Sequence, residues 1–337
     1  MREIGSEFWD VPLGEGPGLV LPPGAQWYLS GRAALSAILK QLPHCRSAAL
    51  PSWCCDSMIK PFLEAGMEVR FYPVWFEKGS LQQEVDWQSD VTLILDYFGY
   101  SLPGTKGEAR RGIVIRDVTH SMFSASYEDA DYYFGSLRKW TGVWTGGFAW
   151  AADGRALLKG SDEGGEYICL RRRAMELKRS YILGDISDKQ RYLSLFARAE
   201  EALETSPLGK AHPRDVEAAG RLDTGFIKSR RRQNAQMLME ALCDWLIFPR
   251  LLPGDCPLMV PVLVPGGQRD ALRKYLIKDN VFCPVHWPVS EYHRLESRER
   301  FIYDNELSLV CDQRYTTEDM ARAVEAIRAF ERTGAKC

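Results

Sequence analysis

The sequence has no long apolar run. Nothing in it approaches the ~18 consecutive hydrophobic residues of a bilayer-spanning helix, so no membrane role is expected. It also lacks an excess of charge. Its 43 basic and 45 acidic residues leave a net charge of −2, too weak a field to recruit nucleic acid or an anionic membrane. The N-terminal Met1-Arg2-Glu3-Ile4-Gly5-Ser6-Glu7 has no apolar core of the kind a signal peptide carries. The nine cysteines form no regular framework, which points to reduced thiols in the cytoplasm. His44, Cys45, Cys54 and Cys55 lie close in sequence, but vicinal cysteines chelate one ion poorly, so buried or pocket-lining thiols are expected rather than a metal. Internal repeats and low-complexity tracts are missing as well.

What is present is an ordinary globular composition, 45% hydrophobic and 26% charged. In the first half, short apolar strands alternate with helical stretches. Ala48-Ala49-Leu50, Met67 to Pro73, Val91 to Asp96, Gly112 to Arg116 and Asp131 to Phe134 read as strands. Gly31 to Leu39 and Cys54 to Ala65 read as helices, the second with Pro61 inside it. Such alternation predicts an α/β fold with a parallel sheet covered on both faces, its ligand beyond the carboxyl ends of the strands. Residues from about 155 to 245 are charged and helix-prone, and the runs Arg171-Arg172-Arg173 and Arg230-Arg231-Arg232 read as solvated helix faces. After Pro249, strands at Leu258 to Val264, Asn280 to Pro284 and Leu307 to Val310 mix with helices at Gln268 to Lys278 and Thr317 to Glu331. We expect a large domain over residues 1–245 and a small C-terminal α+β domain over 246–337.

Chemistry concentrates at the predicted strand ends. Ile113-Val114-Ile115-Arg116-Asp117 ends in an acid, and Ser136-Leu137-Arg138-Lys139 follows the next strand. A pyridoxal phosphate enzyme needs this layout: a lysine to form a Schiff base with the cofactor aldehyde, and a carboxylate to keep the pyridine nitrogen protonated. Such a lysine must be partly neutral to attack, so burial or nearby cations are expected around Lys139. Ser30-Gly31-Arg32-Ala33 opens a helix and offers a hydroxyl, backbone N–H groups and charge to a phosphate. Ser136 could add a hydroxyl or could serve as a turn serine. Trp53, in Pro51-Ser52-Trp53-Cys54-Cys55, reads equally well as a platform for an aromatic ring or as a core tryptophan. His120 lies within reach of the cofactor's phenolic oxygen or packs over the ring.

These segments occur in an order that resembles the DegT/DnrJ/StrS-type pyridoxal phosphate aminotransferases. The resemblance runs through Ser30-Gly31-Arg32-Ala33-Ala34-Leu35, Pro51-Ser52-Trp53, Asp117-Val118-Thr119-His120 and Ser136-Leu137-Arg138-Lys139. Ile4-Gly5-Ser6-Glu7-Phe8-Trp9, Arg230 to Asn234, Pro284-Val285-His286-Trp287-Pro288 and Cys311-Asp312-Gln313-Arg314-Tyr315 extend it to nearly the whole chain. It implies the aspartate aminotransferase fold (fold type I), with a mostly parallel seven-stranded sheet, a small C-terminal domain and a homodimer with interfacial active sites. By position it implies Lys139 as the Schiff-base lysine, Asp117 at the ring nitrogen and His120 near the ring oxygen. The family's Gly-Tyr-Asn-Tyr-Arg-like segment has no clear counterpart; Ser206-Pro207-Leu208-Gly209-Lys210 stands in its place.

The function expected is transfer of an amino group from an amino-acid donor to a keto sugar or related carbonyl acceptor. Arg314 is a candidate for the donor's carboxylate, with an ion pair to Asp312 as the equal alternative. His286 and Trp287 are candidates for lining the pocket. The same lysine and acid would equally serve a lyase, dehydratase or decarboxylase, and a silent regulatory homologue would keep the fold without turnover.

Overall fold

The computed structural model describes residues 3–102, 110–124 and 129–334. Seven strands form the central sheet, in the spatial order Gln26–Tyr28, Gly147–Ala151, Tyr132–Ser136, Ile113–Asp117, Val91–Leu95, Ser47–Pro51 and Glu68–Tyr72. The last five of these pair in parallel, and Gly147–Ala151 runs against both of its neighbours. Val91–Leu95 is buried along its whole length, as a parallel strand covered on both faces must be. Register places Leu95 beside Asp117 and Asp117 beside Phe134, so neighbouring strands end at one level.

The helix Gly31–Leu39 begins where the sequence predicts. Ser30 is its N-cap, and its Oγ accepts from the N–H of Ala33 at 3.1 Å. Its inner face, with Leu35, Ile38 and Leu39, packs on the strands Tyr132–Ser136 and Gly147–Ala151. Burying one such aliphatic side chain contributes about 1.5–3 kcal/mol. Gly147 permits that approach, because a Cβ there would overlap the carbonyl of Ser30. The helix Asp56–Glu64 continues through Pro61 without dividing.

Four helices fill the predicted helical middle: Gly165–Leu183, Gln190–Leu203, Pro213–Ala219 and Thr224–Ala241. The first two pack closely on each other around Met175, Tyr192 and Phe196. Further on, Met259–Leu263 and Glu306–Val310 form an antiparallel pair, flanked by Arg269–Lys278, Ser297–Asn305 and Thr317–Gly334. Ile4–Gly5 pairs in parallel with Val281–Phe282, and Tyr315 Oη both accepts from Gly5 N at 2.8 Å and donates to Gly5 O at 3.2 Å. The N-terminal segment is thereby stitched across to the C-terminal elements.

Three parts of this architecture are not anticipated from the sequence. They are the strands Gln26–Tyr28 and Gly147–Ala151, the hairpin Val74–Glu77 with Ser80–Gln83, and the helix Ser297–Asn305.

Candidate active site

A cleft of about 630 Å³ opens at the carboxyl ends of the parallel strands. Gly31, Arg32, Asp117, His120, Ser136 and Lys139 all line it. Elements far apart in sequence thus bring together six of the residues singled out above. The strand ends place Asp117 and Ser136. The single 3₁₀ turn Leu137–Lys139 then carries the lysine over the edge of the sheet.

Lys139 is exposed on the cleft wall, so of the two settings expected for it, burial or nearby cations, burial is not the one it has. Its cation acts on the groups around it. It lowers the affinity of His120 and His286 for a proton, and it partly offsets the effect of burial on Asp117. The Arg138 guanidinium turns away to Glu200 (2.5 Å), its side chain largely buried over the ring of Tyr167.

Asp117 is almost wholly buried, and its Oδ1 accepts from the N–H of Thr119 at 2.8 Å. Burial pushes its carboxyl up to about 6, against the opposing pull of Thr119 and Lys139. A cation brought against this acid would restore its ordinary acidity. His120 is also buried. Its Nδ1 accepts from the N–H of Phe98 at 3.2 Å, which fixes the neutral tautomer with the proton on Nε2. Burial, then His286 and Lys139, hold this ring well below the usual imidazole range. His120 stacks on Trp287 with ring centroids 5.9 Å apart and planes 20° apart.

Where the helix start meets the sheet, a Cβ on Gly31 would lie 3.2 Å from the Cβ of Ser136, so the helix start and the strand end meet almost without a gap. Ser136 Oγ has no hydrogen-bond partner among the described residues, and the 3₁₀ turn that it precedes takes no side-chain cap from it. Its hydroxyl is free for a ligand. Arg32 leans across the mouth to Glu204 at 2.6 Å.

Trp53 sits differently from the ligand role considered for it, and Arg314, which lines the cleft, is also bound within the protein. Trp53 is fully buried behind the cleft, stacked on Tyr97 at 4.8 Å, and its Nε1 donates to the carbonyl of His286 at 2.6 Å. The cleft-side residue of that turn is Cys55. Arg314 grips Asp312 with both ends of its fork (2.9 and 2.7 Å). It also donates to the carbonyls of Ser6 and Glu7 and lies 4.0 Å above the ring of Phe8. Its guanidinium fastens the N-terminal segment, as the ion-pair alternative requires.

The arginine runs are corrected in part. Arg172 and Arg173 are solvated and pair with Glu176, but Arg171 and Arg231 are buried and line the cleft. Arg231 lies 4.4 Å above the ring of Trp140. It donates to Gln313 and to the carbonyls of Pro257 and Leu258, and its Nη2 has no partner among the described residues. Periodicity could have found it, since Ile227, Arg231, Asn234, Ala235 and Leu238 mark one helical stripe. Arg171 pairs with Glu7 at 3.2 Å. Desolvation pushes the Glu7 carboxyl up, but Arg171, Arg138, Lys139 and Lys178 outweigh it and hold it at about 2.

His286 lines the cleft with Trp287, its ring centroid 6.0 Å from that of His120. Its N–H donates to Glu306 Oε2 at 2.7 Å, and its Nδ1 meets Ser308 Oγ at 2.8 Å. Ser308 in turn donates to Glu306 Oε1 at 2.5 Å. Burial, with Lys139 adding to it, holds the imidazole down at about 3, and burial pushes Glu306 up to about 8. Among the described residues no group of His, Cys, Asp and Glu is arranged to hold a metal ion, and no helix is long and apolar enough to cross a membrane.

No protein-family model matches the sequence, and no curated protein sequence matches it. Solved structures do match in shape. The chain is similar to the sugar aminotransferase CalS13 from Micromonospora echinospora, at 14% identity and TM-score 0.58, over 90% of this chain and 87% of that one. It is similar to PseC of Helicobacter pylori, an aminotransferase of pseudoaminic acid biosynthesis, at 13% identity and TM-score 0.59, over 96% and 99%. It is also similar to Spr1654 from Streptococcus pneumoniae in its PLP-form, at 12% identity and TM-score 0.63, over 96% and 98%. At these identities the likeness establishes the fold: an α/β chain built on the architecture of these aminotransferases.

Proposed function

We propose that this chain is a pyridoxal phosphate-dependent aminotransferase that moves an amino group from an amino-acid donor to a keto sugar or related carbonyl acceptor. The observation that carries this reading is the convergence of Lys139, Asp117 and His120 on one cleft whose far end is Gly31 packed against Ser136. The fold neighbours, named as sugar aminotransferases or known in a PLP-form, support it.

The residues present fit the cofactor. The N-terminus of the helix Gly31–Leu39 and the free hydroxyl of Ser136 suit its phosphate. Asp117 suits the pyridine nitrogen: an acid raised by burial is relieved by a cation placed against it. His120, with its Nε2 proton fixed, would be a donor available to the cofactor's ring oxygen. Trp287 and Cys55, which line the cleft where Trp53 does not, would be the residues available to flank the ring. When bound, the cofactor supplies a Schiff-base aldehyde and an electron sink. Lys139 would be the residue that holds the cofactor's aldehyde, and its amine would be the general base and acid available at the cleft. Arg314 and Arg231 are cleft guanidiniums that would suit the donor's carboxylate, and Arg32 at the helix start would suit the phosphate.

We read residues 1–245 as the cofactor-binding unit and 246–337 as a smaller unit that closes its mouth. We read the working form as a cytoplasmic homodimer that uses neither nucleic acid nor membrane. The test is a visible spectrum of the purified chain loaded with pyridoxal phosphate, with and without Lys139→Ala. The intact chain should show the absorbance band of lysine-bound cofactor, and that band should bleach on adding an amino donor. The variant should lack the band and lose at least about 10³-fold in turnover. A band unchanged in Lys139→Ala sinks the assignment, and a band that no amino donor bleaches moves it toward a lyase or a silent homologue.

A further inference from the structure

Glu306 is a fully buried carboxyl that the proposed reaction does not use. It opens the strand Glu306–Val310, and Ser308 lies two residues on, so both side chains leave the same face of that strand. The segment carrying His286 runs alongside, held by the N–H of Ser308 donating to the carbonyl of Pro284 at 3.0 Å. His286 is anchored at three points: its N–H to Glu306, its carbonyl to Trp53 and its Nδ1 to Ser308. The remaining ring nitrogen, Nε2, has no partner among the described residues, and the ring lines the cleft. One polar line therefore runs from a buried acid, through a hydroxyl and an imidazole, to the cleft beside Lys139.

We propose that Glu306, Ser308 and His286 form a proton relay that opens into the cleft at His286 Nε2. With the carboxylate ionised, Ser308 donates to Glu306 Oε1, His286 donates from Nδ1 to Ser308, and Nε2 offers its lone pair to the cleft. A proton arriving at Nε2 releases the Nδ1 proton to Ser308 Oγ. Ser308 passes its own proton to Oε1. The end state has a neutral carboxylic acid, the same hydroxyl, and an imidazole carrying its proton on Nε2. One proton has crossed, no bond is left unbalanced, and the ring never needs to be a stable imidazolium. The surroundings favour this two-state line. Burial disfavours the Glu306 anion and brings its titration to about 8, with Arg269 as the opposing cation. Burial and Lys139 keep His286 neutral, and the neighbouring His120 is neutral as well. The thiol of Cys283 also feels Glu306, and it is raised mainly by burial. In the proposed aminotransferase, His286 would touch the substrate, with Ser308 and Glu306 as positioning residues. The relay would serve the oxygen that leaves the acceptor carbonyl as water. Only that assignment of the proton rests on the proposed function.

The test uses the full chain without cofactor, labelled with ¹⁵N-histidine, the His286 signals being assigned by their loss in His286→Gln. Between about pH 6 and 10 the ring should stay neutral and move its proton from Nε2 to Nδ1 as Glu306 ionises. Ser308→Ala and Glu306→Gln should each abolish the move, and Ser308→Thr should keep it. If Glu306→Gln fails to fold, the two serine variants decide the matter. A single tautomer across the range, or a move that survives Ser308→Ala, overturns the relay. In the loaded enzyme, Ser308→Ala should lower kcat by about 10–100-fold with KM little changed, and Ser308→Thr should restore it. It should also shift the alkaline limb of the pH profile, and an unshifted profile overturns the relay's part in turnover. Absence of a cofactor band would sink the aminotransferase reading while leaving the tautomer result standing.

Discussion

Two acid–histidine pairs meet at this cleft, one carried by the sheet and one by the C-terminal elements, and they are built differently. On the sheet wall, Asp117 and His120 lie three residues apart, and the histidine's tautomer is set by the backbone N–H of Phe98. A backbone donor has no alternative state, so that proton stays on Nε2. On the C-terminal wall, Glu306 and His286 come from separate elements and meet through a hydroxyl that can donate either way. Burial raises both acids, Asp117 to about 6 and Glu306 to about 8. Each acid has a hydroxyl and a cation opposing that rise, Thr119 and Lys139 at Asp117, Ser308 and Arg269 at Glu306, so the difference lies in how the histidine is held. A fixed donor suits binding, and a reversible one suits proton transfer.

The sharpest way to break the comparison is to neutralise the sheet-wall acid. Asp117→Asn should lower the affinity for pyridoxal phosphate by about 100-fold, because a buried cation–carboxylate contact of about 3 kcal/mol is lost. The same change should stabilise the cofactor-free fold. Lifting a carboxyl from 3.8 to about 6 costs about 3 kcal/mol at neutral pH, and the amide has no charge to bury. Cofactor titration and thermal melts of the apo chain measure the two effects. Weaker binding together with a lower melting temperature would contradict the account of Asp117 as an acid held at a cost for the cofactor.

The next effect is one of pH. The folded chain holds the Asp117 proton more tightly than the unfolded chain does, 6 against 3.8. Its contribution to apo stability is therefore fully present below about 3.8 and lost as pH rises through about 6. Cofactor binding that needs the ionised acid should run the other way, falling about tenfold per pH unit below 6. A flat binding curve between pH 7 and 5 would place the pyridine nitrogen elsewhere.

The two walls also differ in how far the sequence reveals them. Asp117, His120, Ser136 and Lys139 belong to two short strand-end motifs, and a parallel sheet brings such ends together without any knowledge of tertiary packing. Gly31 carries its own signal through the serine cap before it. Glu306 carries none: a glutamate at a strand start reads as exposed, and only His286 and Ser308 make its burial tolerable. Arg171 and Arg231 looked solvated because they sit inside charge runs, although the helical period turns the first arginine of one run and the middle one of the other inward. The hairpin after Pro73 was readable in principle, since Lys78-Gly79 takes positive φ at both turn residues, 52° and 77°. Trp53 shows the opposite error: a residue of the right type near the site can be fastened inside the protein itself.

The smallest predicted effect separates the walls at Trp53. Its indole donates to the carbonyl of His286 and stacks on Tyr97, so it supports the C-terminal wall from behind. Trp53→Phe keeps most of the packed ring and removes the hydrogen bond, leaving that buried carbonyl one donor short. The fold should lose about 1–2 kcal/mol, read as a lower midpoint in urea with an unchanged slope. Because Asp117, His120 and Lys139 do not lean on this bond, cofactor affinity and the position of the bound-cofactor band should stay as in the parent chain. A clear shift of the band would mean that the indole lies against the cofactor after all, and that the sheet wall reaches one residue deeper than the geometry of Cys55 indicates.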